Sequence, residues 1–275
     1  MESCNPVSTP AECGLKLSKD DKGEKVNSTE FRSLVGSLRY LTCTRLDILY
    51  AVGLVSRYME APTMSHWNAA KRILRYIKGT IDHGLLYTKS ENFKLVGYCD
   101  SDWAGDVDDR KSTTGFVFFL GDTAFTWSSK KQAIVTLSTF EAEYVAATSC
   151  SCHAIWLRKL LKELNMTQEE STEIYIDNKS ALALAKNLVF HDRSKHIDTR
   201  LYQYAYCDHE IPDSLLAPGQ TCYQHKYHFL RECVEQKEVM LKYVKTEDQM
   251  ADIFTKPLKQ DVFVKLRTLL GVTIN

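Results

Sequence analysis

Leu95-Val96-Gly97-Tyr98-Cys99-Asp100-Ser101-Asp102 reads as a strand that ends on carboxylates. Around it the hydrophobic period is two: candidate strands fall at 84–88, 93–100, 115–120 and 125–129, separated by Gly and Asp turns. An amphipathic helix over about 138–164 follows, opened by Ser138 with Glu141 three residues on, the pattern of a capping box. Beyond it, Ile174 and Ile176 alternate with Tyr175 in a buried-looking strand at 173–177 that leads directly into a helix at 180–187. A last strand at 239–245 precedes short helices at 247–255 and 260–270, which Pro257 separates. Strands, helix, strand, helix, strand, helix is the order of an α/β or α+β sheet layer.

Upstream the period changes to that of a helix. Phe31, Leu34, Val35, Leu38 and Leu41 form a stripe behind the cap-type residues Ser28-Thr29-Glu30. A second helix is expected over about 45–59, and a third from Ser65 to its stop at Gly79, so residues 28–80 read as an all-helical unit. Residues 1–27 are rich in Ser, Pro, Lys and Asp, lack periodicity, and are expected to form a flexible leader.

Composition narrows the function classes. The 275 residues carry 44% hydrophobic and 25% charged side chains, the balance of a globular protein. Lys+Arg and Asp+Glu both number 35, which excludes a uniformly basic coat and leaves room for a local basic patch. No run of about eighteen apolar residues suggests a membrane span. The first residues lack a basic n-region and an apolar core, so an intracellular location, cytoplasmic or nuclear and not secreted, is expected. Nine scattered cysteines fit free thiols better than a disulfide framework.

Four carboxylates stand at telling points: Asp100 and Asp177 at strand ends, Glu143 one turn inside the long helix, and Asp252 after the last strand. Singly, each is an ordinary turn former or surface charge. Together, without an equal set of neighbouring cations, they suit Mg²⁺ held by oxygen ligands, the arrangement of two-metal phosphodiester chemistry.

The string Gly97-Tyr98-Cys99-Asp100-Ser101-Asp102-Trp103-Ala104-Gly105-Asp106 resembles the ribonuclease H domain of Ty1/copia-type retrotransposon Pol polyproteins. So do Arg110-Lys111-Ser112-Thr113-Thr114-Gly115, Ser138-Thr139-Phe140-Glu141-Ala142-Glu143-Tyr144 and Tyr175-Ile176-Asp177-Asn178-Lys179-Ser180-Ala181. Ser194-Lys195-His196-Ile197-Asp198-Thr199-Arg200 and Asp248-Gln249-Met250-Ala251-Asp252-Ile253-Phe254-Thr255-Lys256 extend the match. Phe31-Arg32-Ser33-Leu34-Val35-Gly36 and Ala69-Ala70-Lys71-Arg72-Ile73-Leu74-Arg75-Tyr76 look like the thumb and connection of the same polyprotein's reverse transcriptase.

The resemblance implies an α/β fold: a ribonuclease H-like mixed five-stranded sheet flanked by helices, preceded by a small all-helical thumb/connection unit. It divides the chain into a leader (1–27), the helical unit (28–83) and the nuclease domain (84–271), with an insertion at about 201–226. It makes Asp100, Glu143, Asp177 and Asp252 the catalytic, metal-ligating quartet, with Glu143 preferred to Glu141 and Asp102 the weaker rival of Asp100. The implied reaction is two-metal hydrolysis of the RNA strand of an RNA–DNA hybrid with Mg²⁺, for which Mn²⁺ can substitute. Neither a small-molecule cofactor nor a membrane is implied, and the remainder of a Pol polyprotein is the implied protein partner. Without a paired-Asp strand of the Tyr-x-Asp-Asp kind, polymerase activity is not expected.

Lys71, Arg72, Arg75 and Lys78 are candidates for a phosphate track, and Ser101 and Asn178 for polar contacts to the substrate. Cys207, His209, Cys222 and His225, inside the insertion, have spacing unlike a zinc finger. The alternative function is a catalytically silent retroelement remnant, or a nucleic-acid-binding protein adopted by a host.

Overall fold

The structure, a computed structural model, describes residues 4–87, 93–186 and 224–274, with backbone alone for 224–228. Helix α1 (Ser28–Leu41) is capped one residue before the expected start: Asn27 Oδ1 accepts from the N–H groups of Thr29 and Glu30. A 3₁₀ turn at Leu46–Ile48 feeds α2 (Leu49–Ser56), and Thr63 opens α3 (Met64–Lys78) in a reciprocal cap with His66. A buried ion pair ties these helices together. Arg45 grips both oxygens of Asp47 at 2.8 and 3.0 Å and reaches Thr80 at the end of α3, while Tyr76 donates to Asp47.

The main sheet contains β2 (Leu95–Ser101), β3 (Thr113–Leu120), β4 (Thr123–Lys131), β5 (Thr172–Ile176) and β6 (Val239–Tyr243), ordered β4-β3-β2-β5-β6. β2, β3 and β4 form an antiparallel meander; β5 runs parallel to β2, and β6 parallel to β5. One face is covered by α4 (Thr139–Glu163), α5 (Lys179–Lys186) and α6 (Gln224–Glu235). The period of two along β3 decides what each face meets. Phe116 and Phe118 join the α4 core, whereas Val117 and Phe119 join a second core with α1, α2, α3 and the C-terminal α7 (Gln260–Leu269).

The helical unit and the sheet thus share a core. The strand expected at 84–88 is β1 (His83–Leu85), which lies outside the main sheet and pairs antiparallel with β7 (Val272–Ile274). That pairing returns the end of the described chain to the helical unit, a long-range match that local periodicity does not carry.

The leader also differs from expectation. Thr9, Ala11 and Leu17 are buried, Tyr58 donates to the Leu17 carbonyl, and Ser18 and Lys19 donate to Asp108. Its first described residues are tied to α3, whose Arg75 and Lys78 donate to the carbonyls of Asn5 and Cys4. Most of the expected insertion at 201–226 lies outside the described residues, as do the segment 194–200 and the cysteines 207 and 222 with His209; the side chain of His225 is likewise outside them. Among the described residues no helix is long and apolar enough to cross a membrane, and no disulfide joins the cysteines.

Candidate active site

β2 and β5 are parallel neighbours, so their C-terminal ends open on the same side and carry Asp100 and Asp177 there. Paired register stops at Tyr98↔Tyr175, and the fully buried Gln249 takes over from the ladder. Its Nε2 donates to the carbonyls of Cys99 (2.9 Å) and Tyr175 (3.4 Å), while its Oε1 accepts from Ala251 N–H and so caps the 3₁₀ turn Met250–Phe254. That turn delivers Asp252. Gly115, opposite Asp100 on β3, makes the approach feasible: a Cβ there would sit 2.7 Å from Phe254 Cβ and from Thr255 Cγ2.

Carboxylate oxygens of Asp100, Asp177 and Asp252 lie within 4.8 Å of one another. Glu143 enters from α4; its Oε1 accepts from Ser101 N–H (3.2 Å), and its buried Oε2 finds no donor. A second buried glutamine fixes this side, with Gln132 Nε2 donating to Ser101 Oγ, Thr114 Oγ1 and the Ala142 carbonyl. The structure brings Asp100, Asp177 and Asp252 together, and Glu143 bonds the residue that follows Asp100.

The rival residues fall elsewhere. Glu141 accepts from Leu137 N–H at the start of α4, and Asp102 accepts from Thr113 N–H in the turn after β2. The Ser101 hydroxyl is engaged with the carbonyl of Asp102 and with Gln132. Asn178 Oδ1 caps α5 through the N–H groups of Ser180 and Ala181. Both frame the site. Three of the cations expected to grip phosphate contact the leader: Arg72 bonds Thr9, Arg75 the Asn5 carbonyl and Lys78 the Cys4 carbonyl, while Lys71 lies over the Trp67 ring. Gln132, Gln249, Thr255 and Lys256 have no role that the sequence marks, although the last two follow Asp252 at helical spacing.

Crowding shows in the acidities. Burial, then Asp100 and Asp177, pushes the Glu143 carboxyl far up. Burial and Asp100 raise Asp252 to about 8 against the pull of Lys256, and burial and Asp100 raise Asp177 against a hydrogen bond from Thr246. Carboxylates this close are costly without a cation, and oxygen-only donors suit a hard divalent ion. The three clustered carboxylates, beside a buried Glu143 oxygen that no donor meets, fit such an ion.

No family model matches the chain. Over 272 residues, 99% of the chain, it is 39% identical to the retrovirus-related Pol polyprotein from transposon RE2 of Arabidopsis thaliana. It is also 39% identical to that from transposon TNT 1-94 of Nicotiana tabacum, over 100% of the chain. It spans 17% and 19% of those polyproteins. A solved structure of LC11-RNase H1, isolated from compost, overlaps 63% of this chain and 97% of its own at 12% identity and a TM-score of 0.36. The expected mixed five-stranded sheet is present in the strand order and pairing described above.

Proposed function

We propose, starting from the chain's membership of the Pol polyprotein family of copia-type retrotransposons, that it acts as a ribonuclease H on the RNA strand of RNA–DNA hybrids. The observation that carries this reading is the clustering of Asp100, Asp177 and Asp252 at one end of the sheet, with Glu143 bonded to the neighbouring Ser101. Asp100, Asp177 and Asp252 would hold divalent cations, with Glu143 completing the set, and Mg²⁺ or Mn²⁺ would supply positive charge to a phosphodiester and acidify water.

The chain's own residues supply placement. Thr255 donates to Asp100 Oδ2, and Thr246 donates to Asp177 Oδ2 at 2.9 Å, so each carboxylate presents a defined oxygen. Gln249 ties the turn that carries Asp252 to the end of β2, and Gln132 ties the end of β2 to α4. Hydrolysis would leave a 3′-hydroxyl and a 5′-phosphate. The rest of a Pol polyprotein is the proposed neighbour of this chain, and no polymerase activity is proposed for it.

The test is cleavage of a labelled RNA–DNA hybrid by the purified chain with Mg²⁺, beside Asp100→Asn and Asp177→Asn. RNA-strand cleavage that both substitutions abolish supports the reading. An inert parent protein that is folded overturns it in favour of a silent remnant.

A further inference from the structure

A lysine stands inside the carboxylate set. Lys256 Nζ lies 2.9 Å from Asp252 Oδ1 and 3.7 Å from Asp100 Oδ2. It is held there by the chain itself: Lys256 N–H bonds the Asp252 carbonyl, one turn back, and Pro257 follows directly. Its side chain remains 38% exposed, so the ammonium has a path to solvent, whereas Asp100 and Asp252 are 2% and 7% exposed.

Three carboxylates within 4.8 Å repel one another, and among the described residues this ammonium is a cation that lies against two of them. An ion bridging Asp100 and Asp252 needs the oxygens that Lys256 contacts. We propose that Lys256 is a resident counter-cation, which keeps Asp100 and Asp252 together when no divalent ion is bound and competes with the divalent ion that those two would share. Filling that position requires Nζ to swing out toward solvent. The site is thereby assembled before metal arrives, at the expense of metal affinity. This inference rests on the metal-binding reading of the site.

The test uses the whole chain and Mn²⁺ alone, followed by calorimetric titration, with thermal unfolding in chelator and in excess Mn²⁺. Lys256→Gln is expected to melt below the parent in chelator, to gain more from Mn²⁺ than the parent does, and to bind Mn²⁺ roughly tenfold more tightly. Lys256→Arg, which keeps the charge, is expected to track the parent. Equal or weaker Mn²⁺ binding by a folded Lys256→Gln, or an unchanged melting point in chelator, overturns the counter-cation. Absence of Mn²⁺ binding by both the parent and Lys256→Gln overturns the metal-binding reading along with it, so the two failures are distinct.

Discussion

Gln249 Nε2 lies 2.9 Å from the carbonyl oxygen of Cys99, 150 residues earlier in the chain. The bond joins the turn that delivers Asp252 to the strand end that carries Asp100, at the point where β2 and β5 stop pairing. Gln249→Leu keeps most of the volume and removes both donors and the acceptor for Ala251 N–H. Loss of such an outer hydrogen bond is expected to lower hybrid cleavage by roughly 10–100-fold. Leaving buried carbonyls unpaired is expected to cost about 1–3 kcal/mol in a urea titration. Parent-like cleavage rates from Gln249→Leu would show that the turn needs no such tie.

Gly115 sets the other limit on Asp252. A methyl group there has no room against Phe254, Thr255 and the Ala251 carbonyl, so Gly115→Ala is expected to push the turn off the sheet. Overpacking of this kind costs about 1–3 kcal/mol. The Mn²⁺ affinity of the folded variant should fall with its cleavage rate; unchanged affinity would place the turn's freedom elsewhere.

The strand ends at Asp100 and Asp177 were legible because apolar alternation runs straight into an acidic residue at both. Glu143 could be told from Glu141 only through the family's pattern, and the structure separates them by giving Glu141 to the helix start. Gln132 and Gln249 left no local trace, since their partners lie on distant strands and sequence carries no mark of a tertiary hydrogen bond. The leader misled for the same reason. Thr9, Ala11 and Leu17 follow no period, yet they are buried, and only the fold brings Arg72 of α3 to Thr9 and Tyr58 to Leu17. β1 looked like part of the main sheet because its composition suits a strand, while its partner is at the far end of the described chain.

The α3 cations give a direct contrast between a phosphate track and a strap. Arg75 Nε bonds the Asn5 carbonyl at 2.7 Å, and Arg72 bonds Thr9 and lies 3.9 Å from Glu12. The double variant Arg72→Ala, Arg75→Ala is expected to expose residues 4–24 to limited proteolysis. The slope of hybrid affinity against log salt should stay unchanged. A slope reduced by roughly one to two units would restore both residues to phosphate binding.

In chelator the carboxylate set should make stability fall as pH rises. Asp252 titrates at about 8 in the folded chain, above its ordinary value, because burial and Asp100 disfavour its charge. The folded state therefore binds more protons than the unfolded one between about pH 4 and 8, and stability declines across that window. Asp252→Asn is expected to flatten the decline and to melt above the parent at pH 8 in chelator, while hybrid cleavage is lost. A melting point at or below that of the parent under those conditions would contradict the crowding.

Asp106 supplies the opposite slope, and it joins the helical unit to the sheet. Its Oδ2 meets Arg57 of the α2 end at 2.9 Å and Lys131 of β4 at 2.7 Å, and its Oδ1 accepts from the N–H groups of Asp108 and Asp109. Burial alone would raise its pKa, but Lys131, the Asp109 N–H and Arg57 together bring it down to about 2. A carboxyl lowered in this way contributes stability above its unfolded value near 4, and that contribution disappears as pH falls from about 4 through 2. The lowering corresponds to on the order of 2 kcal/mol at neutral pH. Asp106→Asn should lose that amount at pH 7 and show a shallower acid transition. Because Arg57 lies in the helical unit and Lys131 in the sheet, the variant should also loosen the contact between them. Hydrogen exchange in α2 and β4 should then rise together, whereas a rise confined to the 105–111 turn would make Asp106 a turn former only.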